Sequence, residues 1–181
     1  MWCVAAPTLR ACRRHAINTH NTISIVVSRS LDMSYTQLSY HIVLRTHRSE
    51  RTLFETHERD LYNYMFGFNR NHDVVTYRIG GMPDHVHLLV GIPAVQSVAK
   101  YVQELKIATS KWLRGNPDFP AFAGWTKEYA AFTVSYEARE AVTQYIRGQK
   151  EHHRVVPLEE ELRNLLAENH VVYKEEFFLR D

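Results

Sequence analysis

Residues 73–92 read DVVTYRIGGMPDHVHLLVGI, and this stretch decides the fold because two strand-like runs flank a turn. Short apolar runs such as 73–79 and 85–92, bounded by turn residues, are typical of β-strands. The Gly80-Gly81-Met82-Pro83 segment between them predicts that the first strand ends and the chain turns. We therefore expect two neighbouring strands joined by a short connection.

The second of these strands begins with a pair of histidines, His85 and His87. Alternate side chains of a strand project from the same face, so both imidazoles share one face while Val86, Leu88 and Val90 share the other. Two imidazoles on one face can bind one divalent metal ion. With 11 histidines in the chain, this spacing arises by chance about half a time, so two solvent-facing histidines remain an equal alternative.

Elements on either side of residues 73–92 complete the fold prediction. A strand is predicted at 38–45, with Tyr40, Ile42 and Leu44 on one face. Helices are predicted from Thr56 to about Arg70, from Ser97 to about Leu113, from about Glu137 to His153 and over 158–168. A strand is predicted at 128–135, and 171–179 is predicted either to form an edge strand or to pack on a partner. The order β-α-β-β-α-β predicts an α+β, ferredoxin-like (RRM-like) antiparallel sheet with helices on one face, followed by C-terminal helices.

The helix predicted over 137–153 carries a second candidate site. Within AVTQYIRGQKEHHR (141–154), Tyr145 and Gln149 lie one helical turn apart. Gly148 costs about 1 kcal/mol in a helix relative to alanine, which favours the close approach of another backbone or of a ligand. A tyrosine at helical spacing is more often a packing residue than a nucleophile, so this helix alone does not establish catalysis.

Several basic residues are candidates for phosphate contacts. Arg45 and Arg48 cluster after the first strand, Lys106 and Lys111 lie on the long helix, and Lys150, His152, His153 and Arg154 end the tyrosine helix. Positive side chains of this kind bind the DNA backbone, and neighbouring aromatic rings can stack on single-stranded bases. Each of them is equally consistent with a solvated charged surface.

The first 32 residues differ from the rest of the chain. No acidic residue occurs before Asp32, whereas Arg10, Arg13, Arg14 and Arg29 are basic, which permits an organelle transit peptide. We favour the simpler interpretation that translation begins at Met33, so that 1–32 is a disordered or untranslated tail and 33–181 is the single domain.

Charge and composition limit the class of protein. The net charge is +2 from 22 basic and 20 acidic residues, and without residues 1–32 the counts become 18 and 19, or −1. A nucleic-acid partner therefore requires a local positive patch. Cys3 and Cys12 provide no disulfide framework for the domain, and no apolar run of about 18 residues predicts a membrane span.

Taken together, the motifs resemble one enzyme family. PDHVHLLV contains a histidine–hydrophobic–histidine (HUH) motif, and Tyr145 follows 60 residues after His85, with Gln149 one turn later. WTKEYAAFTVS (125–135) leading into YIRGQKEHH (145–153) resembles the single-tyrosine HUH transposases of small bacterial and archaeal insertion sequences, REP-associated members included. The resemblance extends from about Met33 to Leu179, and the combination is specific although no single part is.

The resemblance implies a role for each motif residue. His85 and His87 would bind Mg²⁺ or Mn²⁺, Gln149 would complete the ligand set, and Tyr145 would form a 5′-phosphotyrosine link with single-stranded DNA beside a hairpin. It further implies a cytoplasmic homodimer in which the tyrosine helix of one subunit can serve the metal site of the other. The group that deprotonates Tyr145 is not evident, since strand alternation would place Asp84 on the face opposite His85 if the strand already includes Asp84.

Three alternatives remain at this stage. Relaxases generally place the tyrosine before the histidines, and replication initiators are often longer, so both fit less well. A non-catalytic nucleic-acid-binding module on the same fold would need no metal, and the histidine pair argues against it. A domesticated, catalytically silent transposase descendant would keep every motif residue.

Overall fold

The computed structural model describes residues 35–153 and 156–179. The predictions for residues 1–32, including the translation start, lie outside these residues, as does Arg154. Across the described ranges, no helix is long and apolar enough to cross a membrane.

The centre of the molecule is a four-stranded antiparallel sheet with the strand order β2-β3-β1-β4. The strands are β1 (Ser39–Arg45), β2 (Val75–Met82), β3 (His85–Gly91) and β4 (Ala130–Thr133). The helices are α1 (Glu58–Asn71), α2 (Val98–Arg114), α3 (Arg139–Arg147), α4 (Gln149–His152) and α5 (Leu158–Glu168). The order β1-α1-β2-β3-α2-β4 confirms the predicted ferredoxin-like fold.

The main hydrophobic core lies between one face of the sheet and helices α1 and α2. Ile42 and Leu44 of β1 and Val86, Leu88 and Val90 of β3 are all fully buried there. Burying each of these side chains contributes about 1.5–3 kcal/mol, so this face anchors β3 firmly. The alternation predicted for β3 is confirmed, and both histidines therefore project from the opposite face.

The opposite face of the sheet is covered by the C-terminal helices. A second, smaller core of Val43, Phe132 and Leu165 joins β1, β4 and α5. The two central strands are consequently buried on both faces, which agrees with the nearly continuous apolar run in β3. The helices after β4 thus form a third layer, and the histidine face is enclosed within the protein.

The hairpin between β2 and β3 is tighter than the sequence suggested. Gly80 and Gly81 do not end β2, which continues to Met82 and pairs with His85. A Cβ atom at Gly80 would lie 2.9 Å from both the Cγ2 and the carbonyl oxygen of Ile146, and one at Gly81 would lie 2.3 Å from the His85 carbonyl oxygen. Both positions require glycine, because α3 and β3 approach the β2 backbone closely.

Two other boundaries differ from the prediction. The helix expected over 137–153 is divided at Gly148 into α3 and α4. A Cβ at Gly148 would meet only carbonyl oxygens of its own helix, at 3.5 and 3.7 Å, so no foreign backbone explains this glycine. The segment 171–179 contains a short 3-10 turn (Glu175–Phe177) in place of an edge strand.

Candidate active site

The two histidines of β3 form the base of a buried polar cluster. His85 and His87 are both fully buried, on the sheet face covered by α3 and α5. Neither Nε2 atom has a hydrogen-bond partner. Leaving a buried polar group unpaired costs about 1–3 kcal/mol, so two unpaired nitrogens side by side indicate a site that accepts a ligand.

The Nδ1 atoms of the same two rings are held by neighbouring side chains. His85 Nδ1 lies 2.7 Å from Asp84 Oδ1, and His87 Nδ1 lies 2.9 Å from His41 Nε2. A hydrogen on each Nδ1 leaves the Nε2 lone pair directed into the cluster, which is the tautomer that binds metal. Both rings are therefore oriented as a metal site requires.

The position of Asp84 corrects the expectation that it faces away from His85. Asp84 lies in the turn before β3 begins, so strand alternation does not apply to it. Burial alone would raise the pKa of Asp84, but its hydrogen bond to His85 and the charge of that ring lower it below the usual value. The carboxylate is thus ionised and accepts the Nδ1–H of His85.

Burial keeps His41 and His87 neutral. Desolvation and the neighbouring His87 lower the pKa of His41 to about 3. Desolvation also lowers the pKa of His87 to about 4, against the opposing effect of a nearby carboxylate, Glu161. Neutral imidazoles are the form that coordinates metal ions, so no proton has to be displaced from His87 Nε2 near pH 7.

Tyr145 and Gln149 lie over the histidine pair, as the motif comparison implied. The Tyr145 ring packs edge-on against His87 and His41, with 5.9 Å between ring centroids in each case. Gln149, the first residue of α4, is 1% exposed, and its Nε2 donates a 2.8 Å hydrogen bond to Glu161. Its Oε1 is buried without a partner, which makes it the third unpaired atom of the cluster.

Glu161 of α5 belongs to this cluster, although no sequence motif singled it out. It is 2% exposed, and its carboxylate accepts hydrogen bonds from the Tyr145 hydroxyl, from Gln149 Nε2 and, at 2.8 Å, from His153 Nε2. A signal was present in the sequence, because Glu161 lies between Leu158 and Leu165 at helical spacing on the buried stripe of α5. A carboxylate on such a stripe needs partners.

The charges around Glu161 are balanced within the cluster. Burial would raise the pKa of Glu161, but the hydrogen bond from His153 and the adjacent His87 and His85 rings lower it far below the usual value. For His153, burial opposes protonation, yet the hydrogen bond and charge of Glu161 raise its pKa. Burial and the Glu161 carboxylate raise the pKa of Tyr145, so the phenol is neutral in this arrangement.

This donor set fits a divalent ion. One ligand atom each from His85, His87, His153 and Glu161 lies within 4.8 Å of all the others, and the Gln149 amide, whose Nε2 donates to Glu161, lies beside them. Nitrogen and oxygen donors of this kind suit Mn²⁺ and other first-row ions well, and Mg²⁺ to a lesser degree. Among the described residues, the other group of three such side chains (His57, Asp60 and Asp118) lies nearer the surface.

The basic residues considered for DNA contacts differ in exposure and in their partners. Arg48 and Lys111 are exposed, whereas Arg45 is buried and donates to Ser49 Oγ. Lys106 donates to the carbonyl oxygens of residues 126, 127 and 128, and Lys150 pairs with Glu55 and Glu58. His152 lies against the Tyr145 ring and His153 belongs to the buried cluster. DNA binding by these residues stays a prediction; Lys106 and Lys111 line one open cavity together with Arg114.

Two solved structures are similar to this chain in fold. A crystal structure of a candidate transposase from Deinococcus radiodurans is 24% identical, with a TM-score of 0.53 over 67% of this chain and 98% of that one. The structure of a REP-associated tyrosine transposase bound to a REP hairpin is 13% identical, with a TM-score of 0.52 over 71% of this chain and 76% of that one. At these identities the two structures establish the fold.

No curated protein is similar enough to count as a match. The sequence profile of the family described as "Transposase IS200 like" matches residues 34–149, which contain the HUH motif, Tyr145 and Gln149. This match covers more than half of the 181 residues. The chain therefore belongs to the IS200-like transposase family.

Proposed function

We propose that this protein cleaves and rejoins single-stranded DNA beside a hairpin at the ends of a mobile element, through a 5′-phosphotyrosine intermediate on Tyr145. The observation that carries the proposal is the convergence of Tyr145 and Gln149 on the histidine pair of β3. Three buried atoms there, His85 Nε2, His87 Nε2 and Gln149 Oε1, have no hydrogen-bond partner. Side chains from β3, α3 and α4 are thus arranged around one point.

In the proposed reaction, the Tyr145 hydroxyl oxygen attacks the scissile phosphorus and the bond to the 3′-oxygen breaks. The phenol loses its proton, the DNA 3′ end leaves as a hydroxyl, and the 5′ phosphate stays on the tyrosine. The phosphodiester energy is conserved in this link, so rejoining to another 3′-hydroxyl needs no ATP. A bound Mg²⁺ or Mn²⁺, held by His85, His87 and Gln149, would supply charge stabilisation at the phosphate and at the leaving oxygen.

The chain's own residues perform the remaining tasks. Asp84 and His41 fix the ring orientation of the two histidines through their Nδ1 atoms. Packing against His41 and His87 positions the Tyr145 ring over the same point. Because Glu161 accepts the Tyr145 hydrogen bond and lies beside the Nε2 atoms, its carboxylate has to shift relative to the tyrosine before a phosphate can reach the hydroxyl.

The decisive experiment uses a purified protein and a hairpin-bearing, single-stranded oligonucleotide with Mg²⁺ or Mn²⁺. We expect a covalent protein–DNA adduct that survives denaturation and that disappears in EDTA. Tyr145→Phe should abolish the adduct, whereas Tyr136→Phe, at a tyrosine that is 65% exposed, should leave it unchanged. An adduct that persists in Tyr145→Phe would refute the nucleophile assignment. Hairpin binding without any adduct would favour a catalytically silent descendant.

The resemblance also leads us to propose that the protein is a homodimer. From the residues of the site we propose that each chain holds a complete set of active-site residues. Tyr145 adjoins His87 of its own chain, which supports a site formed within one subunit. Size-exclusion chromatography with light scattering tests the dimer. Mixing Tyr145→Phe with a His85→Ala/His87→Ala variant tests the site, and we expect no recovery of adduct. Recovery would show that subunits share their active sites.

A further inference from the structure

Glu161 occupies the centre of the polar cluster, yet it belongs to α5, beyond the residues 34–149 that match the family. The motif residues His85, His87 and Gln149 are all neutral donors. A divalent ion held by them alone would be bound without a negative ligand, in a buried site where charge is costly to leave uncompensated. Glu161 is the carboxylate closest to that point.

The distances place the Glu161 oxygens among the unpaired histidine nitrogens. Oε2 lies 3.5 Å from His85 Nε2, and Oε1 lies 3.4 Å from His87 Nε2. These separations are longer than hydrogen bonds, and both nitrogens remain unpaired. Adjacent ligand atoms about 2.1 Å from an octahedral ion such as Mg²⁺ are about 3.0 Å apart, so a shortening of only about 0.5 Å would make each oxygen and its neighbouring nitrogen two ligands of one ion.

The burial of Glu161 supports a built site. The residue is 2% exposed and emerges from the apolar stripe of α5, where Leu158 and Leu165 pack beside it. A structural role in α5 alone would be served better by an apolar side chain. His153 donates to the second oxygen at 2.8 Å, which fixes the carboxylate as an outer-shell partner would.

We propose that Glu161 is an additional, anionic ligand of the metal ion at His85, His87 and Gln149. This inference rests on the proposed metal-dependent function. Coordination by Glu161 gives the ion a charged ligand from α5. It also draws the carboxylate away from the Tyr145 hydroxyl, which is its hydrogen-bond donor in this arrangement. Metal binding and release of the nucleophile are then coupled through one side chain.

Metal titration of the full chain tests the assignment without any DNA. Isothermal calorimetry with Mn²⁺ should give a single site in the wild type, and Glu161→Gln should weaken it by about 10–100-fold, the loss typical of even an outer-shell partner. The matched control is Glu160→Gln, at the exposed neighbour on the same helix, which should bind as the wild type does. Equal weakening in both variants would overturn the proposal, because it would indicate a general charge effect.

The visible spectrum of the Co²⁺-loaded protein provides a second readout, which substitution of Glu161 would leave unchanged if this residue had only a structural role. Glu161→Asp retains the charge with a shorter reach, so its Co²⁺ spectrum should differ from that of the wild type and its Mn²⁺ affinity should fall between those of wild type and Glu161→Gln. Glu161→Asp also tests the assignment if Glu161→Gln does not fold. Unchanged spectra and affinity would overturn the assignment. Tighter metal binding in Glu161→Gln would also overturn it, because it would show that the Glu161 side chain obstructs a site that other ligands already complete.

The same titration separates this inference from the function on which it rests. If metal binding depends on His85 and His87 but not on Glu161, only the assignment of Glu161 as the fourth ligand is refuted. If the wild-type protein binds no metal, both the proposed metal-dependent function and the role of Glu161 in it are refuted.

Discussion

His41 and His87 are joined by a 2.9 Å hydrogen bond between Nε2 of the first and Nδ1 of the second, and their rings stack with centroids 5.1 Å apart. The two residues lie on neighbouring strands, β1 and β3, 46 positions apart in the chain. A metal ion at His87 Nε2 requires the hydrogen on Nδ1, and His41 is the group that accepts it.

Replacing His41 should therefore weaken metal binding although His41 is not itself a metal ligand. We expect His41→Phe, which keeps an aromatic ring and removes the acceptor, to lower Mn²⁺ affinity by about 10–100-fold, the usual effect of losing such a partner. His41→Gln, which restores an acceptor, should recover part of the affinity. Calorimetric titration of the three proteins measures this order. Equal affinity in His41→Phe and wild type would contradict the orienting role.

Acid should destabilise the metal-free protein. The pKa of His41 is lowered to about 3 and that of His87 to about 4, against 6.5 for an unperturbed histidine. Their contribution to stability is complete above about pH 6.5, where the unfolded chain is also neutral, and it is lost as the pH falls toward 3. Each ring can contribute a slope of at most about 1.4 kcal/mol per pH unit in this range. His153, whose pKa is raised, has the opposite dependence, with stability lost as the pH rises above 6.5.

Urea unfolding in EDTA at pH 7, 6 and 5 measures the acid effect. His41→Phe should show a shallower decline, because one of the two rings that must take up a proton is removed. His57→Gln, at a half-exposed histidine outside the cluster, should decline as steeply as the wild type. A free energy of unfolding that is independent of pH between 7 and 5 would show that the two rings are not held neutral by the fold.

The position of α3, the helix that carries Tyr145, should depend on the glycine at position 80. Gly80→Ala places a Cβ 2.9 Å from Ile146, the residue after Tyr145, so α3 must move away from β2. We expect a loss of about 1–3 kcal/mol in the free energy of unfolding, as for other overpacked sites, together with reduced adduct formation. Chemical denaturation and the oligonucleotide assay report the two effects.

The control for Gly80 is Gly67, which lies within α1 with nothing within 4 Å of an added Cβ. Gly67→Ala should stabilise the protein by about 0.5–1 kcal/mol through helix propensity and leave the adduct yield unchanged. If both substitutions had the same effect, the close contact between β2 and α3 would not explain the glycine at position 80.

The two lysines of α2 should respond differently to substitution. Lys106 donates to three backbone carbonyls at 2.8–3.0 Å, and burial lowers its pKa to about 8. Lys106→Met should therefore cost about 2 kcal/mol or more of stability. Lys111 is exposed, and Lys111→Ala should change stability by less than about 0.5 kcal/mol.

If Lys111 contacts a phosphate, Lys111→Ala should also weaken binding of the hairpin oligonucleotide and reduce the slope of log affinity against log salt by about 1. Fluorescence anisotropy over 50–200 mM salt measures both. An unchanged slope would assign Lys111 to a solvated helix face.

The sequence by itself determined the strand and helix order, the face on which His85 and His87 lie, and the spacing of Gln149 one turn after Tyr145, although the helix is divided between the two residues at Gly148. These features follow from local periodicity, because the spacing of side chains along a strand or helix is independent of the rest of the fold. It also predicted the motif residues that the structure brings together. Periodicity could not say that α5 covers the histidine face.

Only the tertiary structure decided which distant groups complete the site. Asp84 joins His85 because a turn breaks strand alternation, His41 joins His87 because β1 pairs with β3, and Glu161 enters the cluster because α5 packs on Val43 and Phe132. Gly80 is required by the approach of Ile146, a contact 66 residues away in the chain. Such relationships depend on how layers pack against one another, and no local pattern of residues encodes that packing.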